Sequence, residues 1–211
     1  MFDKTTLISA DDALLGRDTP MTVTEAHFVN HTDLTAKPQN GCQEILLGMG
    51  CFWGAERLFW KLDGVVSTSV GYAGGYTPNP SYEEVCTGKT GHSEVVRVIY
   101  DPAIISLEKL LRSFWENHDP TQGMKQGNDV GTQYRSVIYP LNEEQLSIVE
   151  QSKQEYQSAL GNGVAQQITT EIQLQQTYYF AEAYHQQYLA KNPQGYCGLG
   201  GTGVCFPDLS S

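Results

Sequence analysis

Residues 44–62 read EILLGMGCFWGAERLFWKL, and the period of the apolar side chains changes partway through this stretch. Ile45, Leu46 and Leu47 form a short apolar run of strand length, whereas Phe52, Ala55, Phe59 and Leu62 fall at helical spacing on one face. Between the two patterns stands Gly48-Met49-Gly50-Cys51. The spacing predicts a strand that ends in glycine and feeds a helix opening near Cys51, with a thiol in its first turn.

Outward from this junction the same two periods alternate. Residues 65–72 predict a second strand, followed by the turn-rich run Ala73-Gly74-Gly75-Tyr76-Thr77-Pro78-Asn79-Pro80, and residues 93–100 a third strand stopped by Asp101-Pro102. Leu107, Leu110, Leu111, Phe114 and Trp115 mark one face of a core-facing helix, with Ser106 placed to cap it. A polar loop over residues 119–133 carries Gly123, Gly127 and Gly131; loops that long in compact domains are commonly functional. Residues 134–139 return as a strand. Asn142 and Gln145 have capping-box spacing for a helix running to about Leu160. Ile168, Thr170, Ile172 and Leu174 then alternate as a strand, and a short helix is expected over residues 181–189.

Residues 1–43 show no sustained period and contain Gly16, Pro20, Pro38 and Gly41, the composition of an irregular N-terminal arm. Residues 191–211 surround Cys197 and Cys205 with glycine, as in a long C-terminal coil able to move. The expected fold is α+β: a two-layer sandwich with a mixed sheet and a ferredoxin-like core over residues 44–190, flanked by the arm and the coil. The pattern does not fix the strand order.

Lys+Arg 13 against Asp+Glu 24 gives a net charge of −11, which repels nucleic-acid backbones and anionic membranes and favours small or neutral partners. The N-terminus, MFDKTTLISADDALLGR, lacks the apolar run of a secretory signal, and no apolar stretch is long enough to span a bilayer. The expectation is a soluble, cytoplasmic protein. With 5 cysteines in a reducing compartment, a permanent disulfide framework is not expected. Cys42 and Cys86 read as small buried hydrophobes.

Three other thiols read differently. At a helix start the unpaired N–H groups and the dipole stabilise a thiolate, so Cys51 is expected to have a lowered pKa and to act as a nucleophile at neutral pH. Phe52 and Trp53 adjoin it as apolar, polarizable walls suited to an S-methyl group, though Phe52 also sits on the core stripe. Cys197 and Cys205, flanked by glycines, have the freedom that disulfide exchange demands. Glu94 shares a strand face with Val96, Val98 and Tyr100, and a carboxyl buried without a cation keeps its proton and serves as a general acid. Tyr82, Asp129 and Tyr134 lie in or beside loops, where they are able to orient a polar oxygen. A zinc site built from Cys51, Cys197, Cys205 and His185 is the rival reading, but the chain has no CxxC pair to support it.

Taken together, the segments GCFWGAE (residues 50–56), GYAGG (71–75), GHSE (91–94), HDPTQGMKQGNDVGTQYRS (118–136) and YHQQYLAKNPQGYCG (184–198) resemble the A-type peptide methionine sulfoxide reductase family, over about residues 44–205. The resemblance implies that Cys51 attacks the sulfoxide and that Phe52 and Trp53 hold its methyl group. It implies that Glu94 protonates the oxygen, that Tyr82 and Tyr134 hydrogen-bond it, and that Asp129 is a polar residue of the same site. The tail is similar to that of the three-cysteine subgroup, in which Cys197 and then Cys205 carry oxidising equivalents to thioredoxin. No cofactor or metal is implied. The implied substrate is methionine S-sulfoxide, in proteins or free, reduced by a monomer in the repair of oxidative damage. A peroxide-sensing thiol protein and a zinc-stabilised interaction module are the other function classes compatible with the cysteines.

Overall fold

The computed structural model describes residues 3–23, 26–161 and 167–207; positions 1–2 and 24–25 of the expected arm and 208–211 of the expected coil lie outside the described residues. The chain builds β1 (Gln43–Met49), α1 (Phe52–Phe59), β2 (Val65–Ala73), α2 (Tyr82–Cys86), β3 (Ser93–Tyr100) and α3 (Leu107–Glu116). It continues through β4 (Lys125–Gln126), β5 (Asp129–Val130), β6 (Ser136–Tyr139), α4 (Glu143–Leu160), β7 (Glu171–Ile172), β8 (Tyr179–Phe180) and α5 (Tyr188–Lys191). Six strands form one mixed sheet in the order β7-β6-β1-β3-β2-β8, in which the β6–β7 pairing is parallel and the others antiparallel.

The period-2 alternation sorts the two faces of the sheet. Ile45, Leu47, Met49, Val96 and Val98 join the core that holds Phe52, Ala55 and Phe59 of α1 and Leu110, Leu111 and Phe114 of α3. Burying each such side chain contributes about 1.5–3 kcal/mol, so this helix-on-sheet layer is the main source of stability. Trp115 is fully buried and donates through Nε1 to Ser152 Oγ at 3.0 Å, which ties α3 to α4. Leu46, Val95, Val137 and Tyr139 face the other way. On that side Arg97 Nε donates to Glu44 Oε2 at 2.6 Å, and the rest of the guanidinium donates to the carbonyls of Leu34 (3.3 Å) and Ala36 (3.1 Å). The N-terminal segment is thereby drawn across the sheet, burying Leu34.

Besides the short strands β4, β5 and β8, which the sequence did not predict, the elements depart from expectation at four places. Helix α2 emerges after the glycine- and proline-rich run, on a capping box in which Ser81 accepts from Glu84 N and Glu84 accepts from Ser81 N. At α4, Asn142 caps Gln145 N as expected, but the Gln145 side chain accepts from Leu141 N (2.9 Å) rather than closing the box. The strand expected around Ile168–Leu174 shrinks to β7, because the ladder with β6 covers just Glu171 and Ile172. Within residues 181–189 the helix is confined to α5, because Gln187 takes the left-handed conformation (φ 48°, ψ 40°) and breaks the run.

Candidate active site

Strand β1 ends at Met49 and is followed by Gly50, whose φ of +88° suits glycine, and a Cβ built there would lie 2.6 Å from Gln126 Cβ. This tight junction presents Cys51 as the N-cap of α1, with no side-chain capping bond. Glu94 stands on β3 opposite Tyr72 of β2 and is 1% exposed. Its Oε2 accepts from the Phe52 N–H at 3.0 Å, one of the donors left unpaired at the start of α1.

Cys51, Phe52, Trp53, Tyr82 and Glu94 line one cavity of about 180 Å³, roughly six water volumes at ~30 Å³ each, which suits a single side chain. Asp129 and Tyr134, delivered by the glycine-rich loop, complete it together with Tyr196. All seven residues expected to bind or transform the substrate at this point therefore meet, although they come from four separate segments.

Two expected thiols lie outside this cavity. Cys197 packs on the first turn of α1, its Sγ 3.0 Å from where a Cβ on Gly54 would stand. Cys205 is exposed, and its neighbours anchor the tail: the Tyr156 hydroxyl donates to the Val204 carbonyl (3.1 Å) and Phe206 N donates to Glu116 Oε1 (2.8 Å). The expected mobile coil is irregular but docked, because Phe206 buries its ring against Tyr156. Cys42 and Cys86 are half-buried rather than fully so.

Tyr196 was not singled out by the sequence, yet its hydroxyl donates to Asp129 Oδ2 at 3.3 Å at the cavity rim. Its position directly before Cys197 was the available signal. His185, named from the sequence as a ligand of the rival zinc site, is buried and accepts the Trp53 Nε1–H on Nδ1 at 3.0 Å, and Tyr188 stacks on Trp53 at 3.9 Å. Glu182 accepts from Tyr72 Oη (2.9 Å) and from Tyr82 N (2.8 Å), fixing α2 against β2.

The electrostatics correct one expectation. Burial pushes the Cys51 thiol up rather than down, and the nearby Glu94 and Asp129 carboxylates add to the rise; the Trp53 and Gly54 N–H groups of the helix start oppose it and lose. A helix terminus stabilises a thiolate chiefly where solvent or a cation shares the charge, and here the sulfur stands in a dry, acidic pocket. Burial likewise pushes Glu94 up to about 8, opposed by the Phe52 N–H and reinforced by Asp129, so at neutral pH it holds its proton. Burial first, then neighbouring acids, also raises Tyr82 and Tyr134, which keeps both hydroxyls protonated as donors. Among the described residues no group of three or more His, Cys, Asp or Glu is placed to hold a metal ion, and no helix is long and apolar enough to cross a membrane.

Such a cavity offers one soft nucleophile, one neutral carboxylic acid and three phenols, that of Tyr196 bonded to Asp129, to a small polar group carrying an apolar end. A family model described as peptide methionine sulfoxide reductase matches residues 43–202. Over 211 residues the chain is 66% identical to the peptide methionine sulfoxide reductase MsrA of Vibrio cholerae serotype O1, covering 100% of each. Among solved structures, methionine sulfoxide reductase A of Corynebacterium diphtheriae superposes with a TM-score of 0.80 at 46% identity, over 91% of this chain and 93% of that one. Mxr1 from Saccharomyces cerevisiae in reduced form gives 0.72 at 39% identity, over 78% and 94%. Mxr1 in complex with Trx2 gives 0.52 at 27% identity, over 74% and 91%.

Proposed function

The chain belongs to the peptide methionine sulfoxide reductase family, and from that premise we propose that Cys51 and Glu94 together remove the oxygen from methionine S-sulfoxide in proteins and in the free amino acid. The observation that carries this reading is the buried Glu94 carboxyl, protonated at neutral pH and hydrogen-bonded to the first N–H of α1, in the same small cavity as the Cys51 thiol.

The substrate methyl packs between Phe52 and Trp53, and the sulfoxide oxygen takes hydrogen bonds from Tyr82 and Tyr134. Glu94 gives its proton to that oxygen, which leaves the sulfur electron-poor. The positive charge growing on the sulfur offsets what burial and acidic neighbours deny the resting thiol, so Cys51 loses its proton as it attacks rather than beforehand. The oxygen passes to Cys51 as a hydroxyl: one thiol and one sulfoxide become one sulfenic acid and one thioether. The methionine sulfur gains two electrons and Cys51 loses two, while the thiol proton restores Glu94. Asp129 lies where it can accept a backbone N–H of the substrate.

The Cys197 thiol then displaces hydroxide from the Cys51 sulfenic acid, giving a disulfide and water. Cys205 attacks Cys197, forms the second disulfide and frees Cys51. Thioredoxin reduces the Cys197–Cys205 disulfide, of which Cys205 is the exposed member, a role consistent with the solved complex of Mxr1 with Trx2. We place the protein in a reducing cytoplasm, where disulfides are kept reduced by thioredoxin. Its place in the cell is protein repair after oxidation. We also read the split β-α-β units around β1 and β3, with strands in the order β6-β1-β3-β2, as a ferredoxin-like core, and residues 44–190 as the catalytic unit.

The test is a dithiothreitol-driven assay on separated sulfoxide epimers. Wild type is expected to convert the S epimer at sulfur and spare the R epimer, and Cys51→Ser to convert neither. Conversion by Cys51→Ser at the wild-type rate would refute the assignment.

A further inference from the structure

The polar cluster buried beneath α1 takes no part in the chemistry above. Glu56, in the helix that begins beside Cys51, is wholly buried, and its carboxylate accepts three hydrogen bonds. Gln187 supplies two of them, from its backbone N (2.8 Å) and from Nε2 (2.7 Å), and the Thr68 hydroxyl supplies the third (3.1 Å).

Both suppliers are held in turn by the N-terminal arm. Since Thr68 donates to Glu56, its oxygen accepts from His27 Nε2 at 3.0 Å; His27 Nδ1 meanwhile accepts from the Val29 (3.1 Å) and Asn30 (3.2 Å) amides, which fixes the same tautomer. The Phe28 N–H donates to Gln187 Oε1 at 3.0 Å. The arm is riveted at this point, with Asn30 Nδ2 donating to the Val66 carbonyl (2.8 Å) and the Thr32 hydroxyl to Ser67 Oγ (2.7 Å).

Gln187 is a glutamine in a left-handed conformation that residues other than glycine adopt rarely and at a cost in backbone strain. The bonds to Glu56 and Phe28 are what hold it there. On either side of this strained residue stand the two groups that grip Trp53: His185, which accepts its indole N–H, and Tyr188, which stacks on its ring. The turn at Gln187 therefore sets the spacing of the clamp on one wall of the cavity.

We propose that the N-terminal arm belongs to the substrate-selecting apparatus: His27 and Phe28 fix the Thr68–Glu56–Gln187 cluster, and Gln187 holds His185 and Tyr188 against Trp53. This rests on the preceding assignment of Trp53 as a wall of the methyl pocket. His27 and Gln187 are positioning residues, acting through Trp53 and touching no reacting atom. The class of ligand feature they read is the small alkyl group on the sulfoxide sulfur.

The experiment compares wild type, His27→Ala, His27→Gln and Gln187→Gly in single-turnover reduction of a methyl and an ethyl sulfoxide. Glycine keeps the left-handed turn and removes the side-chain anchors, and glutamine retains a donor able to reach Thr68. With His27→Ala and Gln187→Gly, the half-saturating concentration of methyl sulfoxide is expected to rise on the order of tenfold. The saturating rate should stay within about twofold and the preference for methyl over ethyl should shrink, while His27→Gln stays near wild type.

The second readout is independent of activity. Protein labelled with 5-fluorotryptophan gives a 19F resonance for each of its 3 tryptophans, and that of Trp53 is assigned by its loss in Trp53→Phe. It should broaden or split in His27→Ala and Gln187→Gly. If thermal stability falls while methyl selectivity and the Trp53 resonance stay as in wild type, the arm is merely structural and the proposal is overturned. Should His27→Ala not fold, Gln187→Gly decides by the same two readouts. A perturbed Trp53 resonance with unchanged alkyl selectivity would instead break the link between Trp53 and the substrate, and with it the methyl-pocket assignment.

Discussion

Glu94 and Cys51 line one cavity, and burial, which penalises the charged form of each, decides first how both titrate. Burial pushes Glu94 from an ordinary 4.5 up to about 8, so its proton-donating form disappears as pH rises through about 8. Single-turnover sulfoxide reduction is predicted to fall across that range, and Glu94→Gln to be slower by about two to four orders of magnitude with no such inflection. A matching stability prediction follows. Between pH 4.5 and about 8 the folded chain keeps a proton on Glu94 that the unfolded chain has released, so stability falls as pH rises through this window. Thermal melts of Glu94→Gln and wild type should diverge in favour of the variant from pH 5 towards pH 8; a constant difference would contradict the raised pKa. At pH 7 the resting Cys51 should alkylate more slowly than the exposed Cys205, which peptide mapping of the labelled protein will read. The identity of these residues was legible in sequence because each sits at a diagnostic place in an element. The sign of the Cys51 shift was not, because it depends first on burial by the packed fold and then on carboxylates brought in from β3 and from a loop more than seventy residues away.

At the scale of elements, the glycine between β1 and α1 governs where the thiol stands. Gly50→Ala introduces a Cβ at φ +88° within 2.6 Å of Gln126 Cβ. The Gln126 side chain brackets Asp119, accepting from its N–H (3.0 Å) and donating to its carbonyl (2.8 Å), so displacing it loosens the loop that carries Asp129 and Tyr134. The backbone strain alone costs roughly 1–2 kcal/mol, and a melting temperature lower by at least about 2–4 °C is expected, with reduced kcat/KM. Calorimetry with steady-state kinetics checks both; an unchanged melting point would mean that the junction has slack. Strands β1 to β3 and helices α1, α3 and α4 were legible because their apolar periods agree with burial on one layer. Helix α2 was not: its capping box was present in sequence, but the turn residues before it and its brevity hid it. Residues 181–189 misled for the opposite reason, since a helical composition there is overridden by the bonds that hold Gln187 left-handed.

For the whole molecule, the proposed function places catalysis and recycling in different parts of the chain, which meet at the first turn of α1. Cys197 rests on Gly54 there, while Cys205 is held out on the α3–α4 surface by Val204 and Phe206. Gly54→Ala brings a Cβ to 3.0 Å from Cys197 Sγ, and is predicted to slow formation of the first disulfide while leaving release of the first methionine intact. Rapid-quench measurement of both steps separates them. The sequence disclosed that the tail was glycine-rich and thiol-bearing but not that it was docked, because its anchors are single contacts, such as Phe206 against Tyr156, rather than a periodic face. The central claim is that a single sulfur, Cys51, takes the oxygen. Its most direct test is one turnover of the Cys197→Ser/Cys205→Ser double variant with S-sulfoxide and no reductant, followed by dimedone trapping and peptide mapping. One methionine released per chain and one dimedone adduct, on Cys51, is the predicted result; no methionine, or an adduct on Cys42 or Cys86 in its place, would contradict the account.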